Sequence, residues 1–223
     1  MSVKFVLFDA FGTLVRIPKA SHPYRQLLRE GIRQGRRPRA DDVHHLMARP
    51  LSLKEAAEHF GIKINAGRMA EIQTALEAEL DSIVAYEDGL RAVERLQAEG
   101  IKIAIASNLA APYAAPVRRL YPTIDGYGFS FAVGALKPQP FLYRATCELL
   151  GAETSDHLDD NGVLMIGDSE KCDREGPMAV GIRGFLLNRN GGKDFATLDE
   201  FADFVLKAPH PIAHPFIPAH HRS

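Results

Sequence analysis

The fold of this chain is decided by the stretch Val3-Lys4-Phe5-Val6-Leu7-Phe8-Asp9-Ala10-Phe11-Gly12-Thr13-Leu14. Its first part, residues 3–7, is apolar except for one lysine and is rich in β-branched and aromatic residues, which predicts a buried β-strand. Asp9 then stands at the carboxyl end of that strand, where open α/β sheets bind ligands. Gly12 allows the backbone to turn sharply behind it. On this segment alone, a surface aspartate in a strand-to-loop turn is an equally good interpretation.

Three more short motifs follow, and two of them come directly after apolar runs, at residues 101–106 and 163–166, that also predict strands. In order, these motifs are Ser107-Asn108, Lys137-Pro138 and Gly167-Asp168-Ser169, the last with Asp173 beyond it. One such motif is weak evidence, because short apolar strands often end in Asp or Ser. Four in this order, three of them at strand ends, resemble the motifs of the haloacid dehalogenase superfamily over about residues 3 to 206.

Outside one segment, predicted strands alternate with predicted helices, which indicates a parallel sheet covered on both faces. The further strands are expected at 129–133 and 184–187, and the helices at 89–99, 112–120, 139–150, 173–180 and 197–207. Residues 16–86 lack a strand pattern and carry apolar residues at helical spacing between 70 and 83. The prediction is an α/β, Rossmann-like core formed by residues 1–15 and 87–207. The resemblance implies that residues 16–86 are an inserted, mostly helical cap. Residues 208–223 are a Pro- and His-rich tail, and its prolines and irregular histidine spacing favour a surface or flexible segment over a metal site.

The resemblance assigns a role to several motif residues. Asp9 would be the nucleophile, since an oriented and desolvated carboxylate acts well as one. Lys137 would hold that carboxylate and balance its charge. Thr13, Ser107 and Asn108 would donate hydrogen bonds to substrate oxygens, although Ser and Asn at this place are also ordinary helix caps.

A magnesium site is the second implication of the resemblance. Carboxylates at the ends of neighbouring strands repel each other unless a cation lies between them, and Mg²⁺ accepts a few carboxylate oxygens while keeping several waters. By resemblance, the protein ligands would be Asp9, Asp168 and the main-chain carbonyl of Phe11. Asp173 would lie behind them, towards Lys137, unless it only caps a helix.

Phe11 departs from the superfamily's phosphatase pattern, which has Asp at this position as general acid and base. Phenylalanine transfers no proton, and losing a general acid–base typically costs about 10²–10⁴ in rate. The preferred interpretation is a Mg²⁺-dependent, phosphatase-type hydrolysis of a small phosphorylated metabolite. The first alternative is a metal-independent 2-haloacid dehalogenase, because halide leaves without protonation and those enzymes have an aromatic residue here.

Two further alternatives remain open from the sequence. One is a similarity to phosphonoacetaldehyde hydrolase, with Lys54 as the Schiff-base lysine in place of an ordinary surface lysine. The other is a protein that keeps the fold and binds a metabolite or partner without catalysis, since fold alone does not fix function.

Composition excludes several classes of protein. The 223 residues are 46% hydrophobic with a net charge of −1, which fits a packed core and suggests no nucleic-acid partner. No apolar stretch approaches a membrane span, the first strand is too short for a signal peptide, and two distant cysteines make no disulfide framework. We therefore expect a cytoplasmic monomer or homodimer with a small anionic substrate. Six arginines between residues 25 and 39 indicate a solvated helix face that contributes at most one or two cations to substrate.

Overall fold

The structure is a computed structural model that describes residues 3–155, 157 and 162–207. Its main sheet has five parallel strands in the order β5-β4-β1-β6-β7. In chain order the strands are β1 (Phe5–Phe8), β2 (Val15–Arg16), β3 (Val84–Ala85), β4 (Lys102–Ser107), β5 (Gly126–Phe129), β6 (Val163–Gly167) and β7 (Arg183–Leu186). The predicted α/β fold class is confirmed, with the first strand of the chain at the centre of the sheet.

Helices cover both faces of this sheet. In chain order the helices of the described residues are α1 (Pro23–Arg33), α2 (Asp42–Met47), α3 (Leu53–His59), α4 (Ala66–Asp81), α5 (Glu87–Ala98), α6 (Ala114–Leu120), α7 (Ser130–Val133), α8 (Pro140–Leu150) and α9 (Leu198–Lys207). Those that pack on the sheet are α5, α6 and α9 on one face and α8 on the other. Side chains of a strand alternate between its two faces. Val6 and Phe8 accordingly belong to the apolar cluster beneath α5, α6 and α9, whereas Leu7 belongs to the cluster beneath α8.

The segment between β1 and α5 contains α1 to α4, and these helices share an apolar cluster of their own. None of its residues joins the main sheet. No strand is predicted here, but the two ends of the segment pair as a short antiparallel ribbon, with Val15 opposite Ala85 and Arg16 opposite Val84. Two residues per strand are too few to produce an alternating pattern. The division of the chain at 15/16 and 86/87 stays a prediction.

The strand predicted at 129–133 is misplaced. The observed strand β5 is Gly126–Phe129, and residues 130–133 form α7. Helix α8 packs so closely on β5 that a Cβ at Gly128 would lie 1.8 Å from Oγ1 of Thr146, and one at Gly126 would lie 2.8 Å from Cβ of Leu149. The strand therefore requires glycine, which carries no strand signal.

The segment predicted as a helix at 173–180 is not a regular α-helix in the structure. It begins earlier, as a wide helical turn over Glu170–Glu175, and continues as a tight turn over Gly176–Val180. The tail predicted for 208–223 lies outside the described residues. Among the residues that are described, no helix is both long and apolar enough to cross a membrane.

Candidate active site

Three of the predicted site residues stand at the carboxyl ends of adjacent strands. Asp9 follows β1, Ser107 ends β4, and Asp168 follows β6. The Asp9 N–H donates to the carbonyl of Ile166 at 2.9 Å, so the chain keeps its strand pairing up to this residue. The parallel topology thus gathers side chains that lie up to 159 positions apart in the sequence at one edge of the sheet.

Lys137 lies buried between two carboxylates. Its Nζ is 2.7 Å from Oδ1 of Asp9 and 2.6 Å from Oδ1 of Asp173. Burial by itself lowers the pKa of a lysine, but the two carboxylates outweigh it and raise the pKa of Lys137 above its usual value. The ammonium is therefore charged at neutral pH and holds Asp9 in one orientation.

Asp173 is fixed from both sides. Besides the lysine on Oδ1, its Oδ2 accepts the N–H of Ser169 at 2.9 Å. Gly167 leaves room for it, since a Cβ there would lie 2.2 Å from Oδ2 of Asp173. Burial raises the pKa of this carboxyl to about 6, against the opposing charge of Lys137. With both oxygens engaged, Asp173 is placed to orient Lys137.

The Asn108 side chain has a partner that the sequence did not suggest. Its Oδ1 accepts the main-chain N–H of Lys137 at 2.7 Å, and its Nδ2 donates to the main-chain carbonyl of Lys137 at 2.9 Å. These two hydrogen bonds resemble the paired bonds between neighbouring β-strands. They fix the main chain of Lys137 and so help to position its buried ammonium group. A direct contact of Asn108 or Ser107 with substrate stays a prediction.

Asp168 lies against the turn that follows β1. A Cβ at Gly12 would be only 2.0 Å from Oδ2 of Asp168, and the φ of Gly12 is +87°. Asp168 is solvent-exposed, and partial desolvation together with the nearby carboxylate of Asp9 raises the pKa of its carboxyl group. The glycine is therefore required both for the turn and for the close approach of this carboxyl group.

Asp9, Asp168 and Asp173 form a cluster of carboxyl groups. One oxygen from each lies within 4.8 Å of the others, the only such cluster of possible metal ligands in the described part of the chain. Hard oxygen donors at this separation fit Mg²⁺, which binds oxygen at about 2.1 Å. Asp173 is already bonded to Lys137, so Asp9 and Asp168 are the carboxylates available to an ion. Coordination by the Phe11 carbonyl stays a prediction.

Thr13 contacts the Asp9 carboxylate, and Phe11 follows Asp9 by two residues in the same turn. Thr13 is fully buried, and its hydroxyl lies 3.5 Å from Oδ2 of Asp9, a long contact. The half-buried Phe11 ring packs edge-on against Tyr113, with ring centres 5.8 Å apart. Its side chain offers no proton to a leaving group.

A cavity of about 340 Å³ lies next to Phe11 and Asn108, between the helical segment and the sheet. Its polar wall includes Glu79, which is buried on α4 and was not predicted as a site residue. Glu79 accepts the hydroxyl of Tyr113 at 2.6 Å and the N–H of His22 at 2.7 Å. The sequence feature that could have indicated Glu79 is its position as a charged residue on the apolar face of a predicted helix.

The early arginines serve mainly the helical segment itself. Arg36 pairs with Asp42, and Arg33 with Glu30. Arg25 is the member of the run that lines the cavity. Lys54 is solvent-exposed on α3, which favours the surface-lysine interpretation over a Schiff-base role.

Comparison with known proteins identifies the family. The sequence profile of the haloacid dehalogenase-like hydrolases matches residues 3–181, and the chain belongs to this family of hydrolases. A phosphatase of Mycobacterium tuberculosis is 30% identical over 110 residues, which are 48% of this chain and 48% of that protein. The chain therefore matches about half the length of this curated relative.

Two solved structures illustrate the range within this fold. A magnesium-bound HAD-hydrolase of Bacillus subtilis, YfnB, is 15% identical, with a TM-score of 0.60 over 92% of this chain and 99% of that one. The L-2-haloacid dehalogenase of Xanthobacter autotrophicus is 17% identical, with a TM-score of 0.57 over 93% of this chain and 100% of that one. At these identities the likeness establishes the fold, and the side chains of the site must distinguish the chemistries.

Proposed function

We propose that this protein is a Mg²⁺-dependent hydrolase of the phosphatase type, which uses Asp9 to attack the phosphorus of a small phosphorylated compound. The observation that carries the proposal is the position of Asp168. One ammonium, on Lys137, faces three carboxyl groups whose oxygens lie within 4.8 Å of one another. Such a cluster repels an anionic substrate unless a cation joins it.

The roles of the residues follow from their contacts. Lys137 engages Oδ1 of Asp9, which leaves Oδ2 as the oxygen that attacks phosphorus. Attack forms an acyl phosphate on Asp9 and expels the alcohol as its anion. Water then attacks the same phosphorus, releases inorganic phosphate and regenerates the carboxylate. Mg²⁺, held by Asp9 and Asp168, would neutralise charge on the phosphoryl oxygens.

Phe11 sets a limit on the leaving group. Because its side chain cannot protonate an alkoxide, esters of acidic alcohols and acyl phosphates should react fastest. The helical segment 16–86 would act as a cap that excludes water from the site during turnover, since the cavity lies between this segment and the strand ends.

A 2-haloacid dehalogenase is the second candidate, and Phe11 with the apolar cavity beside it is the observation in its favour. Halide is expelled without a proton, so an aromatic side chain at this position carries no penalty. That reaction requires neither a metal ion nor Asp168. The close approach of Asp168 to Gly12 is therefore unexplained by this alternative.

A substrate panel tests the proposal. Acetyl phosphate, phenyl phosphate and 2-chloropropionate should each be incubated with Mg²⁺ and with EDTA, while phosphate and chloride are measured. We expect phosphate release from the first two, abolished by EDTA and reduced at least 100-fold in Asp168→Asn. Chloride release that resists EDTA would establish the dehalogenase instead.

A further inference from the structure

The wall of the cavity beside Phe11 is mainly apolar. Phe11 and Leu109 line it from the sheet side, and Ile17, Leu28, Val43 and Leu46 from segment 16–86. Its volume of about 340 Å³ is more than twice the roughly 150 Å³ that suffices to hold benzene in an apolar protein interior. A single six-membered ring therefore fits here.

Most polar side chains in the wall are already bonded to the protein. Tyr24 donates its hydroxyl to the carbonyl of Leu51 at 2.8 Å, and Tyr113 donates to Glu79 at 2.6 Å. The other carboxylate oxygen of Glu79 accepts main-chain and side-chain groups of Ser21 and His22.

The amide of Asn108 spans the main chain of Lys137, as described above. What remains for a ligand is mostly the side chains of His22 and Arg25, and both residues are solvent-exposed at the edge of the cavity. A polyhydroxylated ligand would consequently bury hydroxyls without partners.

We infer that this cavity selects phosphate esters whose leaving group is an apolar ring, in preference to sugar phosphates. The inference rests on the proposed phosphatase function and adds the class of substrate. Two hydroxyls left unpaired would cost a sugar phosphate about 30-fold or more in kcat/KM. The selectivity is separate from leaving-group acidity, because it arises from the wall and not from the missing proton donor.

The test compares cyclohexylmethyl phosphate with glucose 6-phosphate in the presence of Mg²⁺. Both are esters of primary alcohols on a six-membered ring, and they differ mainly in the ring hydroxyls. We expect kcat/KM to favour the cyclohexylmethyl ester at least 30-fold. Calorimetry with the matching non-hydrolysable phosphonates should give the same order of affinity, which provides a readout independent of turnover.

Two variants connect this preference to the cavity. Val43 lines it but is 53% exposed, so Val43→Gln should fold, and Leu28→Gln changes a half-buried position on the same wall. Each should reduce the preference about threefold to tenfold, whereas Leu149→Gln, at an exposed leucine on α8, should leave it unchanged.

Acetyl phosphate distinguishes failure of the inferred substrate preference from failure of the proposed phosphatase function. Its leaving group is too small to fill the cavity, so its hydrolysis does not depend on the cavity wall. Hydrolysis of acetyl phosphate together with equal or better use of glucose 6-phosphate would overturn the inference and leave the proposed function intact. No phosphate release from any of the three compounds would overturn both.

Discussion

The ammonium of Lys137 lies 2.7 Å from Oδ1 of Asp9, although the two residues are 128 positions apart and both are buried. Asp173 holds the same ammonium from the other side. The charge that orients the Asp9 carboxylate is thus part of the folded core, and it links the turn after β1 to two other segments of the chain.

Removal of the Lys137 amino group should therefore affect stability as well as activity. Lys137→Met leaves two buried carboxylates without their cation, and breaking a buried pair costs about 3–5 kcal/mol. We expect urea denaturation to give a loss of this size, with activity reduced at least 100-fold. The control is Lys207→Met, which removes an exposed lysine 3.7 Å from Asp203 and should cost less than about 0.5 kcal/mol.

Gly12 offers a way to test the close packing of Asp168. A methyl group at Gly12 would meet Oδ2 of Asp168 at 2.0 Å, whereas Gly35 has nearly the same φ, +86° against +87°, with nothing within 4 Å. Gly35→Ala should therefore cost only the backbone strain, about 1–2 kcal/mol. Gly12→Ala should cost more and should displace Asp168, which a weaker affinity for Mg²⁺ would reveal. Equal effects of the two substitutions on stability and metal affinity would argue against this packing.

Magnesium binding can be measured without any substrate. Isothermal calorimetry should detect one Mg²⁺ per chain, and Asp168→Ala should weaken its binding at least tenfold, because a carboxylate ligand is lost. Asp203→Ala removes an exposed carboxylate on α9 and should leave the affinity unchanged. Binding that is insensitive to Asp168 would place the ion elsewhere.

The strand ends were predictable because an apolar run followed by a polar motif is a local pattern. Asp9, Ser107 and Asp168 could be found in this way. Strand β5 could not, because the close packing of α8 demands glycine there, and that demand arises from Thr146 and Leu149, 18 and 23 positions away. The bonds between Asn108 and the Lys137 main chain, and the position of Glu79, likewise depend on which segments meet in three dimensions. Residue type alone does not carry that information.

Phe11 is the position at which a general acid can be restored. Phe11→Asp should raise the hydrolysis of alkyl phosphates at least tenfold, because the new carboxyl group can protonate the leaving oxygen. In the control Phe11→Asn, the new side chain is nearly the same size as aspartate but transfers no proton, so this variant should show no such gain. A dehalogenase would respond in the opposite way: Phe11→Asp would place a charge in the apolar wall around the halide and abolish chloride release.

The central claim is that Asp9 forms a covalent bond to phosphorus. The most direct measurement is rapid acid quenching of the enzyme during turnover of acetyl phosphate, followed by mass spectrometry of its peptides. We predict a phosphoryl group on the peptide that contains Asp9. Asp9→Asn, which is nearly isosteric, should fold normally and show neither the label nor turnover. A phosphoryl group on another residue, or wild-type turnover by Asp9→Asn, would contradict the mechanism.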